Sequence, residues 1–192
     1  MRAFFSIVKD TAGRWLFVCA WLWLAGGGRA MAQETPKVPD YQVKAVYLYN
    51  FTKFINWPAS GFTSADAPIV IGILGDDPFG KTLDDLVRGE IVHGHPLVIK
   101  RLTAGDDLQS CQVLFIGHSE NGRVPALLQK LKGSPTLTVS DDNGFVDQGG
   151  MVSFVLVQEK VKLEINATAA EDAGLQISAK LLKLAVRVVK PL

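Results

Sequence analysis

Alternation of apolar and charged residues near the end of the chain predicts a β-hairpin. Over residues 161–165 apolar and charged side chains alternate, which is the period-2 pattern of a strand with one buried face. Residues 151–157 form a second β-like run, and three polar residues, 158–160, separate the two. That spacing suits a short hairpin loop, so we expect the two runs to pair.

The pattern changes after the hairpin, and from about Ser178 it predicts a closing helix. One side of this helix is apolar and consists of Ile177, Leu181, Leu184, Ala185 and Val188. Basic residues at spacings of 3, 4 and 3 form a single ridge on the helix, made of Lys180, Lys183, Arg187 and Lys190. The ridge is either a solvated face that complements the helix dipole or a surface that docks against an acidic region of another protein.

Residues 41–57 are apolar at most positions and predict a helix that Pro58 ends. Because apolar residues surround most of its girth, we expect this helix to be largely buried or covered by a partner. Its aromatic side chains either pack in the core or line a ligand pocket. They are Tyr47, Tyr49, Phe51, Phe54 and Trp57.

Strand-like and helix-like segments alternate through the middle of the chain. A continuous apolar run predicts a strand buried on both faces at 68–74, and a second buried strand is expected at 112–117. Further strands are expected at 95–102 and 135–140. Amphipathic segments predict helices at about 81–88 and at 124–131. This alternation predicts an α/β fold: a three-layer sandwich with a mostly parallel sheet, a C-terminal β-hairpin and a closing C-terminal helix.

Polar residues follow several predicted strands, where open α/β sheets collect their ligands. A ligand pocket there would use Asp76, Asp77, Phe79, His118, Ser119 and Asp141. A hydrolase using four of these, Asp76, Asp77, His118 and Asp141, is the alternative, but no catalytic motif such as G-x-S-x-G is present. Aspartates after strands are usually turn formers, and His118 with Ser119 has no identifiable acid to complete a triad. We therefore expect no catalytic residues and no cofactor.

The two histidines at positions 93 and 95 are candidate metal ligands. Because no third ligand lies near them in the sequence, we expect a turn with a solvated histidine pair and no metal site.

Residues 1–32 have the composition of a signal peptide. Basic residues precede an eleven-residue apolar run, 15–25, and Ala30-Met31-Ala32 forms a cleavage site. The run is shorter than the roughly 20 residues of a membrane span, although an uncleaved anchor is the alternative. We expect cleavage after Ala32, a flexible lead-in at 33–40 and a single exported domain at 41–192 that does not insert into the membrane.

Charge and cysteine content narrow the classes of partner. Without the leader, sixteen basic and eighteen acidic residues remain, so the chain has no basic field for nucleic acid. Cys111 is then the only cysteine, which excludes an intramolecular disulfide. Its apolar surroundings favour a buried thiol, and the alternative is a bridge between two chains, that is, a homodimer.

Five stretches together resemble the YfiR-like family of periplasmic proteins over nearly the whole mature chain. They lie at 44–58, 71–80, 111–120, 138–155 and 163–185, and the third reads CQVLFIGHSE. The resemblance implies an α/β regulator and not an enzyme. Such regulators restrain an inner-membrane diguanylate cyclase by binding its periplasmic sensory region, and an OmpA-like outer-membrane lipoprotein can sequester them. Cyclic-di-GMP then rises and favours biofilm formation.

The chain departs from the family at one position. Family members often have a cysteine near Gly72 that bridges to one near Cys111, so redox control through that bridge is not expected here. We expect a periplasmic repressor that binds its partner through Lys180, Lys183 and Arg187 and through Tyr49, Phe51 and Trp57. A small-molecule sensor that uses the strand-end or aromatic residues is the alternative.

Overall fold

The structure is a computed structural model that describes residues 40–190. These residues form a compact unit. The predicted signal peptide, 1–32, and nearly all of the predicted lead-in lie outside the described residues. Between residues 40 and 190, every helix is too short or too polar to cross a membrane.

Five α-helices, three short 3₁₀ helices and ten strands occur in the described chain. The helices are α1 (Asp40–Phe54), α2 (Lys81–Val87), α3 (Val124–Leu131), α4 (Ala167–Asp172) and α5 (Ala179–Leu182). The strands are β1 (Ile55–Asn56), β2 (Ile69–Leu74), β3 (Ile91–Val92), β4 (His95–Leu102), β5 (Val113–Ile116), β6 (Leu137–Ser140), β7 (Val152–Val157), β8 (Lys160–Asn166), β9 (Gln176–Ile177) and β10 (Ala185–Val189).

Eight strands form one sheet in the order β10-β8-β7-β6-β5-β2-β4-β3. The five central strands, β7 to β4, run parallel to one another. β8 is antiparallel to β7, and β10 is parallel to β8. The predicted hairpin is therefore confirmed, with a loop of two residues, Gln158 and Glu159. Both have positive φ angles, 50° and 59°, as in the tight turns that suit twisted hairpins.

The sheet is covered on both faces, which confirms the predicted three-layer α/β sandwich. Because side chains alternate along a strand, Ile73 and Phe115 enter the core beside α1 and α2. Leu74 and Leu114 enter a second cluster that contains Leu127 of α3. This alternation explains why β2 and β5 are continuous apolar runs.

The extent of the predicted C-terminal helix is wrong. A helix does begin after Ser178, whose Oγ accepts a hydrogen bond from the amide of Leu181 at 3.3 Å. It ends at Leu182, and β10 follows on the free edge of β8. The β-branched residues of β10 favour a strand, and the open edge of β8 satisfies its backbone groups. The single helical ridge of basic residues therefore does not exist.

The first helix is buried on one side, so less of its girth is covered within the described chain than the apolar pattern predicts. Its buried residues are Lys44, Ala45, Leu48, Phe51 and Thr52. Val46 is exposed on the opposite side. The helix ends at Phe54, before Pro58, because the next two residues form β1 and pair with β9. Two-residue strands are too short to show a period in the sequence, so β1, β3 and β9 were not predicted.

Candidate functional site

The strand order reverses at β2, because the strands that follow it in the chain lie on opposite sides of it in the sheet. From β2 the chain passes to β4 on one side, and β5 lies on the other side of β2. Open α/β sheets bind ligands outside the carboxyl ends of the strands at such a point. The loops after β2, β5 and β6 meet there and bring the predicted strand-end residues together at the carboxyl ends of the central strands.

The residues after β2 are engaged in turn formation and ion pairing. One carboxylate oxygen of Asp77 accepts hydrogen bonds from the amides of Phe79 at 2.8 Å and Gly80 at 3.1 Å. The other accepts one from Arg101 Nε at 2.9 Å. Asp77 is therefore a turn former, as predicted. The amide of Asp76 donates to Ser119 Oγ at 3.0 Å, and the ring of Phe79 is buried.

An ion pair joins the loop after β6 to the first helix. Lys44 Nζ lies 2.6 Å from Asp141 Oδ2, and the two side chains are only 10% and 11% exposed. Tyr41 donates its hydroxyl hydrogen to the same oxygen at 3.0 Å. Burial and the charge of Asp141 raise the pKa of Tyr41 to about 12. Lys44 and Tyr41 were not predicted as site residues. The available signal was a lysine among the apolar positions of a buried helix.

His118 has an acidic partner after all, which corrects the expectation that none exists. Its Nδ1 lies 2.6 Å from Asp142 Oδ1, and Asp142 is buried whereas His118 is exposed. Within residues 40–190, Asp142 Oδ2 is buried without a hydrogen-bond partner. Ser119 Oγ accepts a hydrogen bond from the amide of Asp76, and in this part of the chain no hydrogen bond links Ser119 to His118. The described contacts therefore do not assemble a serine triad.

The His118–Asp142 pair predicts a pH dependence of stability. The hydrogen bond and charge of Asp142 raise the pKa of His118 above its ordinary value of 6.5. Because the pKa of His118 is higher in the folded than in the unfolded state, the pair stabilises the fold fully at pH values below the unfolded-state pKa. This stabilisation is lost as the pH rises through the raised folded-state pKa. His118→Gln should lower the free energy of unfolding more at about pH 6 than at about pH 9. Urea unfolding at both values tests this, and an equal effect at both would contradict it.

The remaining histidines are placed as parts of a turn. His93 is exposed, with a φ angle of 52°, and His95 Nδ1 lies 2.6 Å from the carbonyl oxygen of Ala67. The ring of His95 stacks on Phe62 at 4.2 Å between centroids, so His95 is half-buried and not fully solvated. In the described part of the chain, no three His, Cys, Asp or Glu residues are grouped to hold a metal ion.

The C-terminal surface combines free cations with exposed apolar side chains. We define it as Lys180, Lys183, Leu184, Val186 and Arg187. Leu184 is 53% and Val186 52% exposed, and within residues 40–190 no ion pair or hydrogen bond engages either lysine side chain. Arg187 instead binds the carboxylates of Asp147 and Glu164 and thereby holds β10 to the body of the protein. It remains a predicted contact residue, but its charge is already partly neutralised.

The aromatic residues predicted to contact a partner are mainly packing residues. Phe51 is fully buried and stacks on Phe154 at 6.1 Å between centroids, so it cannot contact a partner in this conformation. Tyr49 is half-buried and donates to the carboxylate of Glu90. Trp57 is also half-buried, and its Nε1 donates to the carbonyl oxygen of Gln112 at 3.0 Å. Only the exposed parts of Tyr49 and Trp57 remain available.

The family model described as YfiR/HmsC-like matches residues 41–186, which is most of the chain. The chain belongs to the YfiR/HmsC-like family. YfiR-like proteins are periplasmic regulators of diguanylate cyclase signalling and are not known as enzymes, so membership indicates a regulatory role for this chain. Among curated proteins, no match was found.

Two solved structures resemble this YfiR/HmsC-like chain. A conserved domain protein from Vibrio cholerae O1 biovar El Tor is 16% identical, with a TM-score of 0.47, 62% of this chain covered and 54% of that one. The ABC domain in complex with L-Trp from Streptococcus pneumonia is 12% identical, with a TM-score of 0.52, 78% of this chain covered and 60% of that one. The chain thus matches less than two thirds of either protein, and at this identity the second likeness concerns the fold alone.

Proposed function

We propose that the protein is a periplasmic negative regulator that binds the periplasmic sensory region of an inner-membrane diguanylate cyclase. Binding represses cyclic-di-GMP synthesis and so limits biofilm formation. Family membership supports the regulatory role. The observation that carries the binding role is the C-terminal surface, where two unpaired lysines precede the exposed Leu184 and the exposed Val186 of edge strand β10.

Repression by binding requires that the regulator distinguish two states of the cyclase. A protein that binds the inactive state more tightly shifts the receptor toward that state by the difference in binding free energy. A preference of about 10⁴-fold moves the receptor from almost fully active to almost fully inactive. A compact protein with one partner-binding surface is sufficient to shift the cyclase in this way, because no chemical step is involved.

The C-terminal surface is suited to an acidic partner segment with apolar side chains. Leu184 and Val186 supply apolar area, whereas Lys180 and Lys183 provide complementary charge and direct the encounter. β10 forms the sheet's outer edge, with only β8 beside it in the described chain. An extended segment of the cyclase can pair with that edge. An OmpA-like outer-membrane lipoprotein that sequesters the regulator would release the cyclase, and a second copy of the chain is a competing occupant.

Recovery from membranes tests this proposal. We expect the purified mature protein, immobilised and incubated with solubilised membranes, to retain a protein with a periplasmic region and a diguanylate cyclase domain, identified by mass spectrometry. A denatured sample of the same protein is the control. Retention of no cyclase under conditions that preserve membrane complexes would contradict the proposal.

A further inference from the structure

A cavity lies at the end of the sheet opposite the residues that follow β2, β5 and β6. It has a volume of about 670 Å³ and opens between the loop after β1 and the loops that precede β5 and β6. Its lining includes Phe62, Pro68, Lys100, Gln112, Lys132 and Pro135. We propose that this cavity binds a small organic anion, meaning a carboxylate or phosphate group on a partly apolar body.

Two lysines provide an excess of positive charge in the cavity. Lys100 and Lys132 line it and are exposed, and within residues 40–190 neither side chain has an ion pair or a hydrogen bond. Asp107 is the one acidic residue among the lining residues, and its Oδ1 accepts a hydrogen bond from the amide of Gln109 at 3.1 Å. The cavity therefore has a net positive lining with free ammonium groups, which bind carboxylates and phosphates.

A buried amide side chain holds the walls of the cavity in place. Gln112 is almost fully buried, its Oε1 accepts from the amide of Val70 at 2.8 Å, and its Nε2 donates to the carbonyl oxygen of Gly61 at 2.6 Å. Its backbone carbonyl accepts from the amide of Leu137 at 2.8 Å. One residue thus joins β2, the start of β6 and the loop after β1, so the cavity is formed before any ligand arrives. A preformed site lowers the ordering cost of binding.

The size and lining restrict the class of ligand. The volume lies within the range of about 300–1,000 Å³ that is typical of small-molecule sites. Phe62, Pro68 and Pro135 supply apolar wall, with which an inorganic ion makes no favourable contact. An organic body with one or two acidic groups uses both features. This inference does not depend on the proposed regulatory function, because it uses none of the residues of the C-terminal surface.

Titration with defined probes tests the inference. The purified protein is titrated with succinate, phenyl phosphate and inorganic phosphate, with succinamide and phenol as neutral counterparts. We expect the organic anions to raise the melting temperature and to shift the amide NMR signals of Val70, Gln112 and Ser134. The neutral compounds should do neither, and inorganic phosphate should bind at least tenfold more weakly than the better organic anion.

Variants locate the effect in the cavity. Lys100→Gln with Lys132→Gln should weaken binding at least tenfold, whereas Lys130→Gln, next to the cavity but not in its lining, should leave binding unchanged. Because all three side chains are exposed, the variants should fold. The inference is overturned if no anion shifts the cavity amides, if the double variant binds as well as the wild type, or if inorganic phosphate binds as tightly as the organic anions.

Discussion

A cysteine introduced at Gly72 is expected to form a disulfide bond with Cys111 and to raise the melting temperature under oxidising conditions. A Cβ atom at position 72 lies 2.7 Å from Cys111 Sγ, within reach of a covalent bridge. Closing a loop of about 40 residues stabilises a protein by about 4 kcal/mol in the chain-entropy model. For a chain of this length, that corresponds to a rise of roughly 8–16 °C in melting temperature.

Reducing agent and a serine variant provide the controls for this disulfide. Gly72→Ser adds a Cβ atom 2.7 Å from Cys111 Sγ and 2.9 Å from Leu102 Cδ1 without forming a bond, so it should lower the melting temperature. Under reducing conditions the cysteine variant should fall below the wild type for the same reason. Two free thiols in the oxidised variant, or a melting temperature that does not respond to reductant, would show that this geometry is wrong.

Reversing the two free charges of the C-terminal surface is expected to weaken partner binding by roughly a hundredfold. Lys180→Glu with Lys183→Glu replaces attraction to an acidic segment by repulsion, and about 1.4 kcal/mol per residue gives tenfold for each. Arg187 is left unchanged, because a glutamate there would face Asp147 and Glu164 and would disturb β10. Calorimetric titration against the periplasmic region of the recovered cyclase measures the change.

A matched pair of substitutions separates the local surface from overall charge. Lys81→Glu with Lys130→Glu changes the net charge by the same amount at exposed positions on α2 and α3. We expect this variant to keep wild-type affinity apart from a small salt-dependent change in association rate. Equal weakening by both pairs would indicate that long-range charge, and not the C-terminal surface, controls binding.

Strands β2 and β5 were predictable because burial on both faces leaves a continuous apolar run. The run at 68–74 became β2, and His95–Leu102 was predicted with the bounds of β4. The structure of residues 178–188 was not predictable, because their apolar positions fit the spacing of a helix as well as that of a strand. The choice between helix and strand depends on the free edge of β8, which only the folded sheet provides.

The position of the polar residues that follow β2, β5 and β6 was predictable, but their ion-pair and hydrogen-bond partners were not. The rule for carboxyl ends of parallel strands places Asp77, His118 and Asp141 together. Local sequence cannot show that Lys44 lies against Asp141, 97 positions away, because that contact depends on how α1 crosses the sheet. The same applies to His118 and Asp142, which come from the ends of neighbouring strands.

The level of cyclic-di-GMP in cells that lack this protein tests the central claim most directly. We expect deletion to raise the level, wild-type protein in the periplasm to restore it, and Lys180→Glu with Lys183→Glu to leave it high although the variant accumulates and folds normally. Lys81→Glu with Lys130→Glu should restore it. An unchanged cyclic-di-GMP level on deletion, or full restoration by the Lys180→Glu, Lys183→Glu variant, would contradict repression through the C-terminal surface.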